Sequence, residues 1–255
     1  MLVRDIIIYF SLKYKGNFTS IYEAINRLEP ADEKEYEVLK SKVKCGMVTI
    51  LDNEYPEILK TINKPPFVLY YYGDISLLKH RNILGIVGSR NINSYASSAV
   101  TKIINEMENK DFVIVSGLAK GVDSLAHKLA LNNSISTIAV LGTGIEYCYP
   151  IENFDLYDNI KENGLVISEY PFRENVPQNA FPFRNRIITA LSNWVFIPDA
   201  HKNSGSMISL RYALEQGKDI FTIPYSIFED NIANTLIQEG AKLICKGEDI
   251  EEEFR

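Results

Sequence analysis

From Ile83 onward, short apolar runs alternate with polar stretches of helical length, and this alternation constrains the fold more than any other feature. The apolar runs fit buried strands at residues 83–87, 112–115, 137–141, 165–167, 194–197 and 220–223, with 242–245 as a seventh. The polar stretches fit helices at residues 94–109, 123–132, 154–163 and 206–216. Continuous apolar strands alternating with helices predict an α/β fold, in which a mostly parallel sheet carries helices on both faces.

The residues before this region show a different pattern, which predicts short helices up to about Glu57. Ser20, with Glu23 three residues later, matches a capping box at a helix N-terminus. The apolar positions that follow are spaced as one helical face, namely Ile21, Ala24, Ile25 and Leu28.

The chain is punctuated by a proline pair after Asn63, and Phe67 to Tyr72 then fits a short strand. We therefore expect a small helical N-terminal domain, a connector with the first strand, a main domain and an acidic, solvated tail. The corresponding ranges are residues 1–62, 63–80, 81–245 and 246–255.

Composition excludes several classes of protein. The 255 residues are 46% apolar, which suffices for a core, and neither a membrane span nor a signal peptide is present, so we expect a cytosolic protein. The three cysteines, Cys45, Cys148 and Cys245, lie far apart, which predicts neither a zinc site nor a disulfide framework. The net charge of −6 does not indicate a nucleic-acid binder, but the last ten residues, with five acidic and two basic side chains, supply half of it. Binding must therefore be judged from local clusters of charge.

Glycine and serine follow four of the predicted strands. These segments are residues 88–90, 116–123, 142–144 and 203–206. In open α/β sheets, ligands bind outside the carboxyl ends of the strands. Glycine permits close approach of a ligand, and hydroxyl and N–H groups at a helix start bind anions. One such loop is ordinary turn chemistry, whereas four on one edge predict an anionic or nucleotide-like ligand.

Basic residues accompany these loops. Arg90 and Lys120 lie within two of them, and Lys202 precedes the fourth. Arg184 and Arg186 lie at the start of a predicted helix, where positive charge is unfavourable. We prefer phosphate contact by these arginines to a solvated helix start.

Two aromatic residues, Phe181 and Phe183, belong to the same segment. Aromatic rings stack on unpaired bases in proteins that bind single strands. Most aromatic residues are core residues, so base stacking and packing both stay open for these two rings.

Catalytic patterns are scarce. His127 follows Asp123 by four residues, which places both on one helical face, and we prefer a structural contact to an acid–base pair. Glu169 and Asp199 follow strands and are expected to orient loop backbones. Because neither a nucleophile elbow nor a metal-ligand spacing occurs at a strand end, we predict no catalytic residue, no metal and no cofactor.

These motifs, taken in order, resemble those of the DprA/Smf family of bacterial DNA-processing proteins. The resemblance covers nearly the whole chain, and its most specific part is the segment from Phe181 to Ile187. The other matching segments are residues 52–56, 66–70, 88–90, 116–123 with His127, 149–153, 168–171, 204–206 and 236–241. The chain departs from the family pattern at Asn203, at Ser209-Leu210, at Pro224-Tyr225 and at Ile232.

The resemblance implies an extended Rossmann-like fold preceded by a small helical domain of the sterile-alpha-motif-like kind. It implies a homodimer that binds and protects single-stranded DNA in a positively charged pocket. It also implies that the protein helps to load a RecA-type recombinase during natural transformation, with single-strand binding protein as a further partner. On this basis Arg90, Lys120, Arg184 and Arg186 would face the DNA backbone.

The complete set of expected DNA-binding residues joins the loops to the aromatic and basic segment. It comprises Gly88, Ser89, Arg90, Ser116, Gly117, Lys120, Gly121, Phe181, Arg184, Asn185, Arg186, Lys202, Ser204, Gly205 and Ser206. The supporting set comprises Asp123, His127, Glu169 and Asp199.

Two other functions compete with this interpretation. Nucleotide phosphoribohydrolases have similar glycine-rich loops, but they carry a catalytic glutamate in a motif where this chain has no acidic residue between Ser204 and Glu215. A pure interaction scaffold would bind no DNA at all.

Overall fold

The computed structural model describes residues 1–173, 179–201 and 205–254. Its strands, in chain order, are β1 (Gly46–Thr49), β2 (Val68–Gly73), β3 (Ile83–Ile86), β4 (Val113–Ser116), β5 (Ser136–Val140), β6 (Leu165–Ser168), β7 (Trp194–Phe196), β8 (Asp219–Thr222) and β9 (Lys242–Leu243). Within the described ranges they form one sheet in the order β1-β2-β6-β5-β4-β3-β7-β8-β9.

The strands from β3 to β9 are paired in parallel, which confirms the predicted α/β fold. The chain builds the sheet outward from β3 through β4 and β5 to β6, and then returns to the other side of β3 with β7. The strand order therefore reverses between β3 and β7. In α/β sheets the crevice at such a reversal is the usual position of a ligand.

Helices cover both faces of the sheet. They are α1 (Val3–Lys13), α2 (Phe18–Asn26), α3 (Glu33–Lys40), α4 (Glu57–Lys60), α5 (Ser94–Glu106), α6 (Val122–Asn132), α7 (Phe154–Asn163), α8 (Ala180–Leu191), α9 (Ser206–Glu215), α10 (Ala233–Gln238) and α11 (Glu248–Glu251), with short 3-10 turns at Ile75–Lys79 and Ile151–Asn153. Apolar side chains of α5 and α6 pack in one cluster, and those of α4, α8 and α9 pack in another with the opposite side chains of the strands. None of the helices in the described ranges is long and apolar enough to cross a membrane.

The N-terminal segment contains the three helices α1 to α3, but the prediction of helices up to about Glu57 is wrong for β1. This strand pairs antiparallel with β2, and β2 pairs antiparallel with β6, so both extend the large sheet. Pairing with a strand some twenty residues along the chain decides the conformation of β1, and no local pattern shows it. The division of the chain into the four domains named above stays a prediction.

The start of α2 also differs from the prediction. The N-cap is Asn17, whose side-chain oxygen accepts a hydrogen bond from the backbone N–H of Ser20 at 3.0 Å, so Ser20 and Glu23 form no capping box. Leu28 lies beyond the helix with a positive φ of 51° and is 87% exposed. The apolar stripe therefore ends before Leu28.

The acidic tail is not simply solvated. Ile250 of α11 is fully buried, and the ring of Phe254 packs with centroids 5.5 Å from both Phe112 and Trp194. Lys110 pairs with Glu251 at 2.6 Å. Two apolar residues among the charges thus hold this segment against the sheet; Arg255 lies outside the described residues.

Candidate nucleic-acid interface

A cleft of about 430 Å³ lies at the point where the strand order reverses, between the loops after β3 and β4 and the N-terminal parts of α8 and α9. We call it the first cleft. It is lined by residues 87–91, Ala119, Asp123, Phe181, Pro182, Arg184, Asn185, Gly205, Ser206, Ile208 and Ser209. Many of the residues that the sequence predicted for DNA binding therefore meet at one site.

The loop after β3 is fixed by backbone hydrogen bonds. Ser89 donates its N–H to the carbonyl oxygen of Asp199 at 3.1 Å and accepts from the N–H of Val122 at 3.1 Å. A Cβ on Gly88 would lie 2.5 Å from the Val122 side chain, so only glycine fits this approach. The loop thus presents Arg90, which is exposed, at a defined position on the cleft wall.

The loop after β4 divides into packing and surface residues. The Ser116 hydroxyl is fully buried and donates to the carbonyl oxygen of Ile86 at 2.6 Å, so the prediction that it contacts DNA is wrong. Gly121 has φ of 76°, and a Cβ there would lie 2.2 Å from the carbonyl oxygen of Ser89. Gly121 therefore permits the turn and the loop contact. Lys120 is exposed and pairs with Glu152 at 2.7 Å.

Arg184 is buried at the base of the cleft. Its side chain is packed against Gly117, where an added Cβ would lie 1.7 Å from Nη1, and Nη1 donates to the carbonyl oxygen of Val140 at 2.5 Å. Burial lowers the pKa of Arg184 to about 10, a shift that the charge of Asp123 opposes. The guanidinium therefore remains cationic at neutral pH, in a position set by the protein.

Arg186 does not join this cleft, and its assignment to the DNA backbone is a wrong prediction. Its side chain is 2% exposed and forms a bidentate pair with Glu169, with Nη1 2.9 Å from Oε1 and Nη2 2.7 Å from Oε2. It also donates to the carbonyl oxygens of Lys64 and Phe183. Glu169 therefore orients the Arg186 guanidinium, and Arg186 in turn donates to the backbone of the connector at Lys64.

The helical period could have separated the two arginines. Residues two apart on a helix are rotated by about 200°, so Arg184 and Arg186 of α8 cannot face one ligand. The same rotation separates Phe181, which lines the first cleft, from Phe183, whose ring lies 3.6 Å from the Arg186 guanidinium. Asn185 lines the first cleft and donates to the Ser209 hydroxyl at 2.8 Å.

The predicted contact between Asp123 and His127 is replaced by another. His127 Nδ1 lies 2.7 Å from the hydroxyl of Thr137, which itself donates to the carbonyl oxygen of Ile114. The hydroxyl proton is thereby used, so His127 carries its hydrogen on Nδ1 and donates it to Thr137. Burial lowers the pKa of His127 to about 3, so the ring is neutral.

Asp123 and Asp199 both lie within the loops around the first cleft and form hydrogen bonds there. Burial raises the pKa of Asp123, while the charge of Arg184 and backbone hydrogen bonds from Ala119 and Gly117 oppose the shift. The Asp199 carboxylate is fully buried and accepts a hydrogen bond from the Asn231 side chain at 2.8 Å. The backbone carbonyl oxygen of Asp199 accepts a hydrogen bond from the N–H of Ser89.

The fourth loop is described only in part. Gly205 and Ser206 line the first cleft, at the start of α9. Lys202 and Ser204, also predicted to bind DNA, lie outside the described residues. Glu215, the first acidic residue after this loop, is in the last turn of α9, where it lies 3.6 Å from Arg211.

A side pocket of about 60 Å³, which the sequence did not predict, lies next to the first cleft. Its lining combines three cationic side chains with two aromatic rings and consists of Arg90, Gly117, Ala119, Lys120, Gly142, Tyr149, Pro150, Phe181 and Arg184. The rings of Tyr149 and Phe181 have centroids 5.1 Å apart, and a Cβ on Gly142 would lie 2.9 Å from Phe181. Tyr149 is 51% exposed in the structure, and the signal available in the sequence was an aromatic residue five positions after the glycines of residues 142–144.

Comparison with known proteins identifies the family. Residues 46–255 match the model of DNA recombination-mediator protein A. DNA processing protein DprA of Streptococcus pneumoniae is 44% identical over 208 residues, which are 81% of this chain and 73% of that protein. DprA of Bacillus subtilis is 40% identical over 234 residues, 90% of this chain and 78% of that protein.

Solved structures agree. The crystal structure of DprA from Streptococcus pneumoniae superposes with a TM-score of 0.82 at 37% identity and covers 98% of this chain and 93% of its own. A structure of DNA processing protein A from Helicobacter pylori, described for its single-stranded DNA binding mode, gives 0.74 at 32% identity, with 82% and 96% covered. With its fold, its loops and these likenesses in agreement, the chain belongs to the DNA recombination-mediator protein A family, that of the DprA and Smf proteins.

Proposed function

We propose that the protein binds single-stranded DNA in the first cleft and the side pocket, and that it does so without catalysis. The observation that carries the proposal is the convergence of Arg90, Lys120 and Arg184 on one pocket wall with the rings of Tyr149 and Phe181. Cationic side chains that follow the backbone, together with rings on which bases stack, are what single-strand binding requires.

The three cations have different parts in this binding. Arg184 is buried and fixed by Val140, so it needs no ordering when a phosphate arrives. Arg90 and Lys120 are exposed, and a phosphate would compete with Glu152 for Lys120. Exposed pairs such as this one contribute about 0–1 kcal/mol, so the competition is a weak one.

The remaining groups support a binding role. His127 is neutral, buried and bonded through Nδ1 to Thr137, which is unsuited to proton transfer near neutral pH. The supporting carboxylates Asp123, Glu169 and Asp199 are all engaged in holding loops or an arginine. The proposed DNA contacts are the groups that line the first cleft and the side pocket, namely Arg90, Lys120, Arg184, Asn185, Phe181 and the loop residues Gly88, Ser89, Gly205 and Ser206.

The wider role proposed is that of a cytoplasmic mediator of recombination. Protection of incoming single-stranded DNA during natural transformation, loading of a RecA-type recombinase, action as a homodimer and contact with single-strand binding protein all belong to this proposal. It is supported by membership in the recombination-mediator family and by the relatives named as DNA-processing proteins.

The test is fluorescence anisotropy with a labelled oligothymidylate and a hairpin duplex, measured across salt concentrations. Each phosphate contact to a single strand contributes about −0.7 to the slope of log K against log salt, so three cations predict a slope of about −2 for an oligonucleotide confined to the first cleft and the side pocket. Arg90→Gln should reduce the magnitude of that slope by about 0.7. The matched variant Arg27→Gln, which removes the exposed arginine at the C-cap of α2, should not change it.

Two results would contradict the proposal. One is an absence of binding to the single strand, which the scaffold hypothesis predicts. The other is an affinity that does not change with salt. Release of a free base from a nucleotide incubated with the protein would instead favour the phosphoribohydrolase alternative.

A further inference from the structure

A second cleft, of about 500 Å³, lies beside the first, between the N-terminal segment and the main part of the fold. One side is formed by the turn between α1 and α2, and the other by α8 and α9. Pro182 and Ile208 line both clefts and form a ridge between them. A DNA strand that occupies the first cleft therefore has to cross only this ridge to reach the second.

The charge of this second cleft suits a polyanion. Lys64 and Arg211 line it, and both are exposed. The acidic residue Glu169 also lines it, but its charge is compensated by the bidentate, buried pair with Arg186. Arg211 lies 3.6 Å from Glu215 in an exposed pair, which a phosphate can replace at little cost.

Aromatic side chains are also present. Phe183 lines the second cleft while Phe181 lines the first, because the helical rotation of α8 places them on opposite sides of Pro182. One face of Phe183 is covered by the Arg186 guanidinium, which fixes the ring in place. Phe18 and Tyr212 contribute further ring surface to the lining.

We propose that a single strand bound in the first cleft continues over the ridge into the second cleft, where its phosphates pair with Lys64 and Arg211. This inference rests on the proposed function, because the strand enters the second cleft from the first. The bases of the continuing strand lie against Phe183 and Tyr212. The N-terminal helical segment thereby forms part of the DNA-binding surface, through the turn that carries Phe18.

The experiment compares oligothymidylates of increasing length, from about 4 to 16 nucleotides, the range of single-strand site sizes. It uses the full chain and the double variant Lys64→Gln with Arg211→Gln. The shortest oligonucleotide that fills the first cleft should bind equally to both proteins. The unmodified protein should bind longer oligonucleotides more tightly than short ones, and the double variant should lose that gain in affinity with length.

Salt dependence gives the size of the effect. Two lost phosphate contacts reduce the magnitude of the slope by about 1.4 for long oligonucleotides and by nothing for short ones. Between 50 and 200 mM salt, the unmodified protein should therefore lose roughly sevenfold more affinity for the long oligonucleotide than the variant does. The matched control Arg27→Gln with Lys128→Gln removes two exposed positive charges outside both clefts and should behave as the unmodified protein.

The outcomes separate this inference from the proposed function. If short oligonucleotides bind and Arg90→Gln weakens them, but the double variant keeps the full gain with length, the second cleft is not part of the path. Equal losses in the double variant and its matched control would also overturn the inference. If the unmodified protein binds no oligonucleotide of any length, the proposed function itself is wrong.

Discussion

The buried pair of Arg186 and Glu169 gives the sharpest prediction, because the sequence assigned this arginine to DNA and the structure assigns it to the protein. Both side chains are at most 3% exposed, and two hydrogen bonds join them. The variant Glu169→Gln keeps the shape of the side chain. It places an amide N–H₂ group against a guanidinium nitrogen and leaves the buried positive charge without a counter-ion.

The magnitude follows from the geometry. Two opposite charges about 4 Å apart interact by about 4 kcal/mol at an effective dielectric constant of 20. Removal of one partner from a buried pair costs about 3–5 kcal/mol, and the two carbonyl acceptors at Lys64 and Phe183 place the expected loss near 3 kcal/mol. The free energy of unfolding, measured by urea denaturation, should fall by that amount, and Tm should fall by roughly 10 °C.

The exposed pair of Arg211 and Glu215 provides the control. Glu215→Gln removes the same kind of charge from a surface pair and should change the free energy of unfolding by less than about 1 kcal/mol. A structural role for the pair of Arg186 and Glu169 is refuted if Glu169→Gln is as stable as this control. It is also refuted if Arg186→Lys folds with full stability and loses DNA affinity alone, since that would be the behaviour of a direct phosphate contact.

Three other predictions concern the first cleft, the side pocket and the residues that support them. Gly117→Ala should displace the Arg184 guanidinium, on whose position phosphate contact depends, and the affinity for single-stranded DNA measured by fluorescence anisotropy should fall about tenfold. The control Gly217→Ala, at φ of 65° with open space around it, should cost about 1 kcal/mol of stability and leave the affinity unchanged. Tyr149→Leu should weaken binding by about 1–3 kcal/mol through lost stacking, with the same salt slope as before, and a changed slope would contradict this role. The pKa of His127 is lowered to about 3 in the folded protein, so the unfolded chain binds a proton first as pH falls below about 6.5, and the folded state loses stability. Between pH 6.5 and 5 the free energy of unfolding should therefore fall by about 2 kcal/mol more than in His127→Gln. Identical pH profiles for the two proteins would count against a buried neutral imidazole.

The sequence by itself determined the parts of the fold that depend on local pattern. The alternation of apolar runs and helical stretches located β3 to β8 and helices α5, α6, α7 and α9 to within a few residues, because burial on both faces of a sheet requires continuous apolar strands. The glycines at the strand ends indicated the edge on which a ligand would bind. That edge is where the first cleft lies.

Only the tertiary structure decided which charged side chains face the cleft. The helical period separates Arg184 from Arg186 but does not say which of them faces the cleft. In the structure Arg184 lines the cleft, and Arg186 is paired with Glu169, seventeen residues away along the chain. Long-range contacts of this kind also placed β1 on the sheet, His127 against Thr137 and Tyr149 beside Phe181. Local sequence fixes the period of a helix or strand, whereas the partner of a buried charge is set by which distant segment the folded chain brings within hydrogen-bond distance.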